Sequence, residues 1–376
     1  MKINANRQEL SDVVNRAASV SPASSPVDIL KGVLLETDAA AKRLTVTATN
    51  KEITLEQKLP CDASEDDELV VNAKLFAGML EQLDGESVEL RRVPGSSLLS
   101  VKGGRAEYTV PVFERKEFPR TEIPFPEDTI QVTGIPGMAK RSVFAVSTND
   151  TVPLMKCVNL MFTRDGLVAA GSDGLCLVTT KGDTKSTGNV NFLMPAHSLE
   201  KLARMSSDKD EYRVGTTGND IVFTKENFVF SARILNGDYI NTQGIIGNLK
   251  NSFTVLSDMA ELRETLHSVI AVDPDGPVKL GFSASRLLFA SNGVYGQAST
   301  EIAVTPLTGA PSGEYWFIAK RLYESLRAFS GTVTLGIAQN GILTFSTDET
   351  FYMQPGVRPP SVKKETPAPK PRKKAA

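Results

Sequence analysis

Histidine is nearly absent from this 376-residue chain, and cysteine is scarce. The two histidines, His197 and His267, lie in helical patterns with no ligand-type spacing around them, so acid–base and metal chemistry lack their commonest side chain. The three cysteines, Cys61, Cys157 and Cys176, are odd in number and far apart, which fits reduced thiols and neither a disulfide framework nor a zinc site. No apolar run approaches the roughly 18 residues that cross a bilayer, and the opening MKINANRQEL has no apolar leader core. Also missing are a glycine-rich phosphate loop, a His–Cys or His–Asp–Ser constellation and paired metal ligands. The expectation is a cytoplasmic protein with no cofactor, metal or membrane partner, and an enzyme finds little support.

What the chain does have is repetition. The stretches NAKLFAGMLEQL at 72–83, PAHSLEKLARMS at 195–206 and IAKRLYESLRAF at 318–329 align without gaps, so Ala73, Ala196 and Ala319 stand 123 residues apart each time. A long fixed period marks a triplicated unit. In the first copy Phe76, Met79, Leu80 and Leu83 form an apolar helix stripe; the third keeps Leu322, Leu326 and Phe329, and the second keeps Leu199 and Leu202. Arg204 and Arg327 are equivalent, whereas the first copy has Glu81 there. Taken singly, each polar face reads as a solvated surface.

Between these helices lie a second helical pattern and several short β-branched runs per copy. The first copy reads as a helix at 7–20, strands at 33–37, 44–48 and 53–57, an acidic turn at 62–68, the repeated helix, and strands at 88–92, 98–101 and 107–112. A proline-rich stretch, FPRTEIPFP at 118–126, is a boundary, after which the pattern restarts with a helix at 138–146. A Gly- and Asn-rich passage at 236–251 links to the last copy, with its helix at 259–272. The pairs Thr49–Asn50, Ser172–Asp173 and Ser291–Asn292 recur at one point of each copy, where a hydroxyl and an Asx side chain can bond a turn's backbone. These patterns predict an α+β chain of three tandem units, at 1–121, 122–247 and 248–358, each with two helices covering an antiparallel sheet.

Formal charge is uneven. From Arg358 onward seven Lys or Arg face a single Glu, a net of +6, which leaves −8 on the preceding 357 residues. An acidic body excludes DNA binding by bulk attraction and permits basic groups confined to one surface. The tail at 359–376, rich in Pro, Lys and Ala, cannot build a core and is expected to be disordered. Three units in a line leave two unpaired ends, which identical subunits can satisfy head to tail by closing a ring. Helices lining that ring with Lys and Arg would suit duplex DNA, enclosed through its phosphates without reading sequence.

The segments RQELSDVVNRAASVSPASSPVDILKGVLLE, LTVTATNKEITLEQ, GSDGLCLVTT, MPAHSLEKLARM and FYMQPGVR together resemble the bacterial DNA polymerase III beta subunit, the sliding-clamp family, from residue 1 to about 358. The resemblance implies the DNA-clamp fold and a homodimeric ring around duplex DNA. It also implies a pocket that tethers DNA polymerase and repair proteins, and an ATP-driven clamp loader as a further partner. By helix position and charge the candidate DNA-facing residues are Arg7, Arg16, Lys74, Lys140, Arg141, Lys201, Arg204, Arg263, Lys320, Arg321 and Arg327. Ser24 and Ser25 stand where the family often has a basic loop residue.

Carried over by position, the family's partner-peptide pocket implies Cys157, Ser172, Gly174, Leu175, Cys176, Leu177, Ile240, Gly244, Ile245, Met353, Gln354, Pro355 and Val357. Where the family commonly has Asp-Gly-His-Arg-Leu, this chain has Asp173-Gly174-Leu175-Cys176-Leu177, and the usual Phe-Pro-Asp-Tyr is Tyr239-Ile240-Asn241-Thr242. Ordinary core and linker positions are the alternative reading of these residues. For the subunit interface the resemblance implies Tyr108 and Val110 on the strand at 107–112 meeting Leu266, Val269 and Ile270 of the partner's third domain; intradomain core is their alternative. Two other readings of the whole chain stay open: an enzyme on repeated α/β units, which the missing motifs disfavour, and a divergent, for example phage-encoded, clamp-like scaffold with altered partner binding.

Overall fold

Among the described residues seven α-helices punctuate the chain: α1 Arg7–Val20, α2 Ala73–Gln82, α3 Ile135–Ser142, α4 Ala196–Arg204, α5 Thr242–Asn248, α6 Met259–Ile270 and α7 Ala319–Ser325. They come from a computed structural model, in which residues 1–119, 123–149, 151–163, 166–182, 184–185, 190–293 and 296–359 are described. The tail and the boundary expected at 121/122 lie outside the described residues. Several helix starts are written in their caps. Asn6 accepts from the Glu9 amide at 3.0 Å, Asn72 from Leu75 at 3.0 Å and Asp258 from Glu261 at 3.0 Å, each satisfying an amide that the first turn leaves without an intrahelical partner. The third repeated helix is shorter than its sequence pattern, because α7 tightens into a 3-10 turn over Leu326–Ala328.

The chain divides into two compact units, Met1–Ile245 and Ile246–Ala376. In the first, a fourteen-stranded sheet runs continuously through the first and second repeats. Its join is the antiparallel pairing of strand Ile53–Pro60 with strand Phe228–Arg233, in register Gln57 with Phe228 and Ile53 with Ala232. A second sheet of this unit orders Val190–Pro195, Cys157–Thr163, Gly166–Ser172 and Leu177–Gly182. α1 packs on α2 and α3 on α4, and their apolar stripes close one core from Leu10, Val14, Phe76 and Leu80 to Leu199, Leu202 and Tyr212. In the second unit α6 packs on α7. There strand Asn251–Asp258 pairs with both Thr332–Ala338 and Thr305–Thr308, and the order Gly296–Ala303, Arg286–Gly293, Pro277–Ser283, Ser312–Ile318 forms a separate small sheet.

Two features depart from the sequence reading. Strands Asp67–Asn72, Val190–Pro195 and Ser312–Ile318 lead into α2, α4 and α7, where the pattern reads as a turn or as no element. Leu69, Val70 and Val71 are all fully buried, so the run is covered on both faces and shows no alternation to read. The supposed linker at 236–251 contains α5, despite Gly244 and Gly247, because the Asn241 side chain accepts from the Gly244 amide at 2.9 Å.

The repeated turns fold as read in two copies. Thr49 Oγ1 donates to Ile53 O and Asn50 Oδ1 accepts from Glu52 and Ile53, just as Ser172 Oγ donates to Cys176 O and Asp173 Oδ1 accepts from Leu175 and Cys176. In the third copy strand Arg286–Gly293 continues through this point, pairing Asn292 with Gln297, and the buried Ser291 hydroxyl has no hydrogen-bond partner among the described residues.

Candidate nucleic-acid and partner interfaces

Helix packing sorts the basic side chains into two groups. In the first unit Arg7 Nε donates to Gly85 O at 2.8 Å, Arg16 Nη1 to Gln57 Oε1 at 3.2 Å and Arg141 Nε to Thr180 Oγ1 at 2.8 Å. Lys201 Nζ donates to Ser19 O at the end of α1, tying the second repeat to the first. Burial, with the Arg204 charge second, holds the Lys201 ammonium below the usual lysine range. In the second unit Arg263 Nη2 donates to Leu326 O at 2.7 Å and Phe329 O at 3.2 Å, capping the turn after α7. Arg321 is half-buried. Lys74, Lys140, Arg204, Lys320 and Arg327 are exposed, so five of the eleven candidates offer a solvent-facing charge and at least one comes from each repeat.

Sequence reasoning did not single out Gln57 and Thr180, the buried strand residues that hold Arg16 and Arg141. The signal was present for Gln57: in ITLEQKLP it shares the inward phase with Ile53, Leu55 and Leu59, and its amide reaches Val13 O at 3.0 Å.

The peptide-pocket candidates fall in both units. In the first, the Asp-Gly turn projects Leu175, 60% exposed, while Cys176 and Leu177 on either side of the strand start are buried. Gly174 adopts φ 86°, a left-handed conformation that a side chain would strain. Behind the turn Tyr239 OH donates to Cys157 O at 3.5 Å. Burial pushes the Cys157 thiol up to about 11 and raises the Tyr239 phenol, so both are neutral at physiological pH and serve as packing rather than as nucleophile or base. Ile240 and Gly244 are half-buried and Ile245 is exposed. In the second unit Met353 and Gln354 lie on strand Thr350–Gln354; Gln354 Oε1 accepts from Tyr352 OH at 3.0 Å, Pro355 is half-buried, and the Val357 amide bonds Trp316 O at 2.7 Å.

Of the interface candidates, Val110 in the first unit and Leu266, Val269 and Ile270 in the second are buried within their own units, the role left open as intradomain core. Tyr108 is half-buried against the first unit's core. The free hydrogen-bonding capacity lies instead in backbone edges. Strand Ala106–Phe113 pairs with Asp67–Asn72 only through Val112 and Phe113, and strand Gly296–Ala303 ends its sheet. Among the described residues there is no cluster of metal-ligating side chains, and no helix is long and apolar enough to cross a membrane.

A triplicated two-helix and antiparallel-sheet unit, with exposed cations recurring on its helices, defines the class of DNA-clamp folds. Residues 1–122 match the model of the DNA polymerase III beta subunit N-terminal domain and residues 130–241 that of its central domain. The chain belongs to the DNA polymerase III beta subunit family. The beta sliding clamp of Bacillus subtilis is 23% identical over 259 residues, covering 65% of this chain and 68% of that protein. The crystal structure of the DNA polymerase sliding clamp from Bacillus subtilis superposes with a TM-score of 0.87 at 19% identity, covering 96% of this chain and 99% of that one. A Pseudomonas aeruginosa sliding clamp bound to griselimycin gives a TM-score of 0.85 at 19% identity, covering 95% and 99%.

Proposed function

We infer that this chain is a DNA sliding clamp, a processivity factor that encircles duplex DNA and tethers DNA polymerase. The observation that carries the reading is the triplicated helix with an exposed cation in every copy, Lys74, Arg204 and Arg327 among them, on a chain of the beta subunit family. A charge that repeats with the fold meets a ligand that repeats, and phosphate contacts without base contacts hold DNA while allowing it to slide. Ring closure is proposed as a homodimer, the open edge of strand Ala106–Phe113 in one protomer pairing with the outer strand Gly296–Ala303 of its partner, so that each protomer satisfies one edge of the other. An ATP-driven loader opens that ring. Leu175 with Ile245, both exposed in the first unit, are proposed as apolar anchor positions for partner peptides. The clamp itself carries out no chemistry.

Topological encirclement has a signature that ordinary binding lacks. Loaded on nicked circular DNA, the protein is expected to stay bound through gel filtration at moderate salt and to run off once the circle is cut. Retention that is indifferent to linearisation would sink the reading.

A further inference from the structure

We propose that the helix pair of the first repeat holds the DNA backbone more weakly than those of the second and third, with Glu81, which offsets the exposed Lys74 of the same helix, as the residue that sets the difference. The inference rests on the reading of the chain as a clamp whose helices face DNA. Positions 81, 204 and 327 are one position of the repeat, 123 residues apart, and carry Glu, Arg and Arg. All three side chains are exposed, each in the last turn of its helix or the 3-10 turn that follows. Helix stability does not account for the glutamate. A carboxylate at a helix C-terminus opposes the helix dipole, where an arginine complements it.

The surroundings of Glu81 reinforce its sign. Its Oε1 accepts from Asn15 Nδ2 at 3.2 Å, which holds the carboxylate between α2 and α1. α1 adds exposed Glu9 and Asp12, while its own arginines are half-buried and engaged, Arg7 with Gly85 O and Arg16 with Gln57. Counting exposed Asp, Glu, Lys and Arg on the helices, the α1–α2 pair has a formal charge of −2 and the α3–α4 pair +1. The α6–α7 pair with its 3-10 turn is neutral. Charges beyond a Debye length of about 8 Å are largely screened, so it is these wall residues rather than the net charge of the body that a phosphate feels. Each lysine or arginine on a phosphate releases a counterion, and a carboxylate releases none.

The test is a salt series of fluorescence anisotropy with a short labelled duplex and the full-length protein, comparing wild type with Glu81→Arg, Glu81→Gln, Arg204→Glu and Glu226→Arg. Glu226 is exposed on the turn between strands Asp220–Lys225 and Phe228–Arg233, off the helices, so its replacement adds the same charge elsewhere. Glu81→Arg is expected to tighten binding about severalfold at low salt and to steepen the slope of log K against log salt by about 0.9 per chain, with Glu81→Gln in between. Arg204→Glu should weaken binding and flatten the slope, and Glu226→Arg should leave the slope unchanged. If Glu81→Arg changes neither affinity nor slope while Arg204→Glu weakens binding, the inference is overturned and the clamp reading stands. Equal tightening by Glu226→Arg also overturns it, since bulk charge then explains the gain. A wild-type protein with no salt-dependent duplex binding overturns both.

Discussion

Leu175 and Leu177 are two residues apart and belong to different environments, which makes them a sharp test of the proposed peptide site. Leu177 is 2% exposed, so an aspartate there would bury an unpaired charge and unfold the site rather than probe it. Leu175 stands on the far side of the Asp173–Gly174 turn, and a surface substitution away from special geometry shifts stability by about 0.5 kcal/mol or less. Leu175→Asp is therefore expected to leave the melting temperature in place and to weaken a fluorescent peptide with apolar anchors about tenfold, near 1.4 kcal/mol. Polarisation titrations read this directly. Unchanged affinity would mean that the loss of the family's His-Arg pair at Leu175–Cys176 has moved recognition off this turn.

At the scale of elements, the three copies of the repeated helix share a pattern and differ in how each begins. α2 is capped by Asn72, while α4 follows Pro195 and α7 follows Ile318, neither with a side-chain cap. Asn72→Ala is expected to destabilise the first unit by about 1 kcal/mol, measurable by urea unfolding, whereas Ile318→Ala removes no cap and should cost the start of α7 little. A loss at Asn72 well under half that size would show the cap to be replaced by water.

What the sequence made legible follows from the same physics. The amphipathic helices and the alternating strands were readable because one face is buried and the other wet, a contrast that leaves a period. Asp67–Asn72 was not, because burial on both faces erases the alternation, and α5 was not, because Asn241 and the glycines around it speak for a turn until the cap bond is seen. Among candidate contacts, charge and helix position located the arginines. They could not tell Arg204, exposed, from Arg263, whose guanidinium is spent on Leu326 O and Phe329 O, since that distinction depends on a neighbour 63 residues away. Edge strands are likewise invisible locally, because an edge is defined by the absence of a neighbour.

For the whole molecule, the proposed assembly rests on the open edges of strands Ala106–Phe113 and Gly296–Ala303. An exposed row of backbone donors and acceptors is a standing invitation to pair, and proteins that stay monomeric blunt such edges with proline, charge or a bulge. Strand Ala106–Phe113 has one proline, Pro111, at the end where it already meets Asp67–Asn72, and leaves the stretch before it open. On Gly296–Ala303 the charged side chain Glu301 is engaged by Arg286 of the neighbouring strand within the same sheet. The one charge on the free stretch of Ala106–Phe113, Glu107, is engaged by Ser100 Oγ at 2.8 Å, and the two strands belong to the first and third repeats, so each protomer's Ala106–Phe113 can take its partner's Gly296–Ala303 and both of these edges are satisfied. A closed pair excludes further growth. Native mass spectrometry or light scattering should therefore give one species at twice the 40.6 kDa chain mass, with no ladder of higher forms, and a melting temperature that rises with protein concentration. A strictly monomeric species at micromolar concentration would remove the proposed ring, and with it the topological hold on DNA that the clamp reading requires.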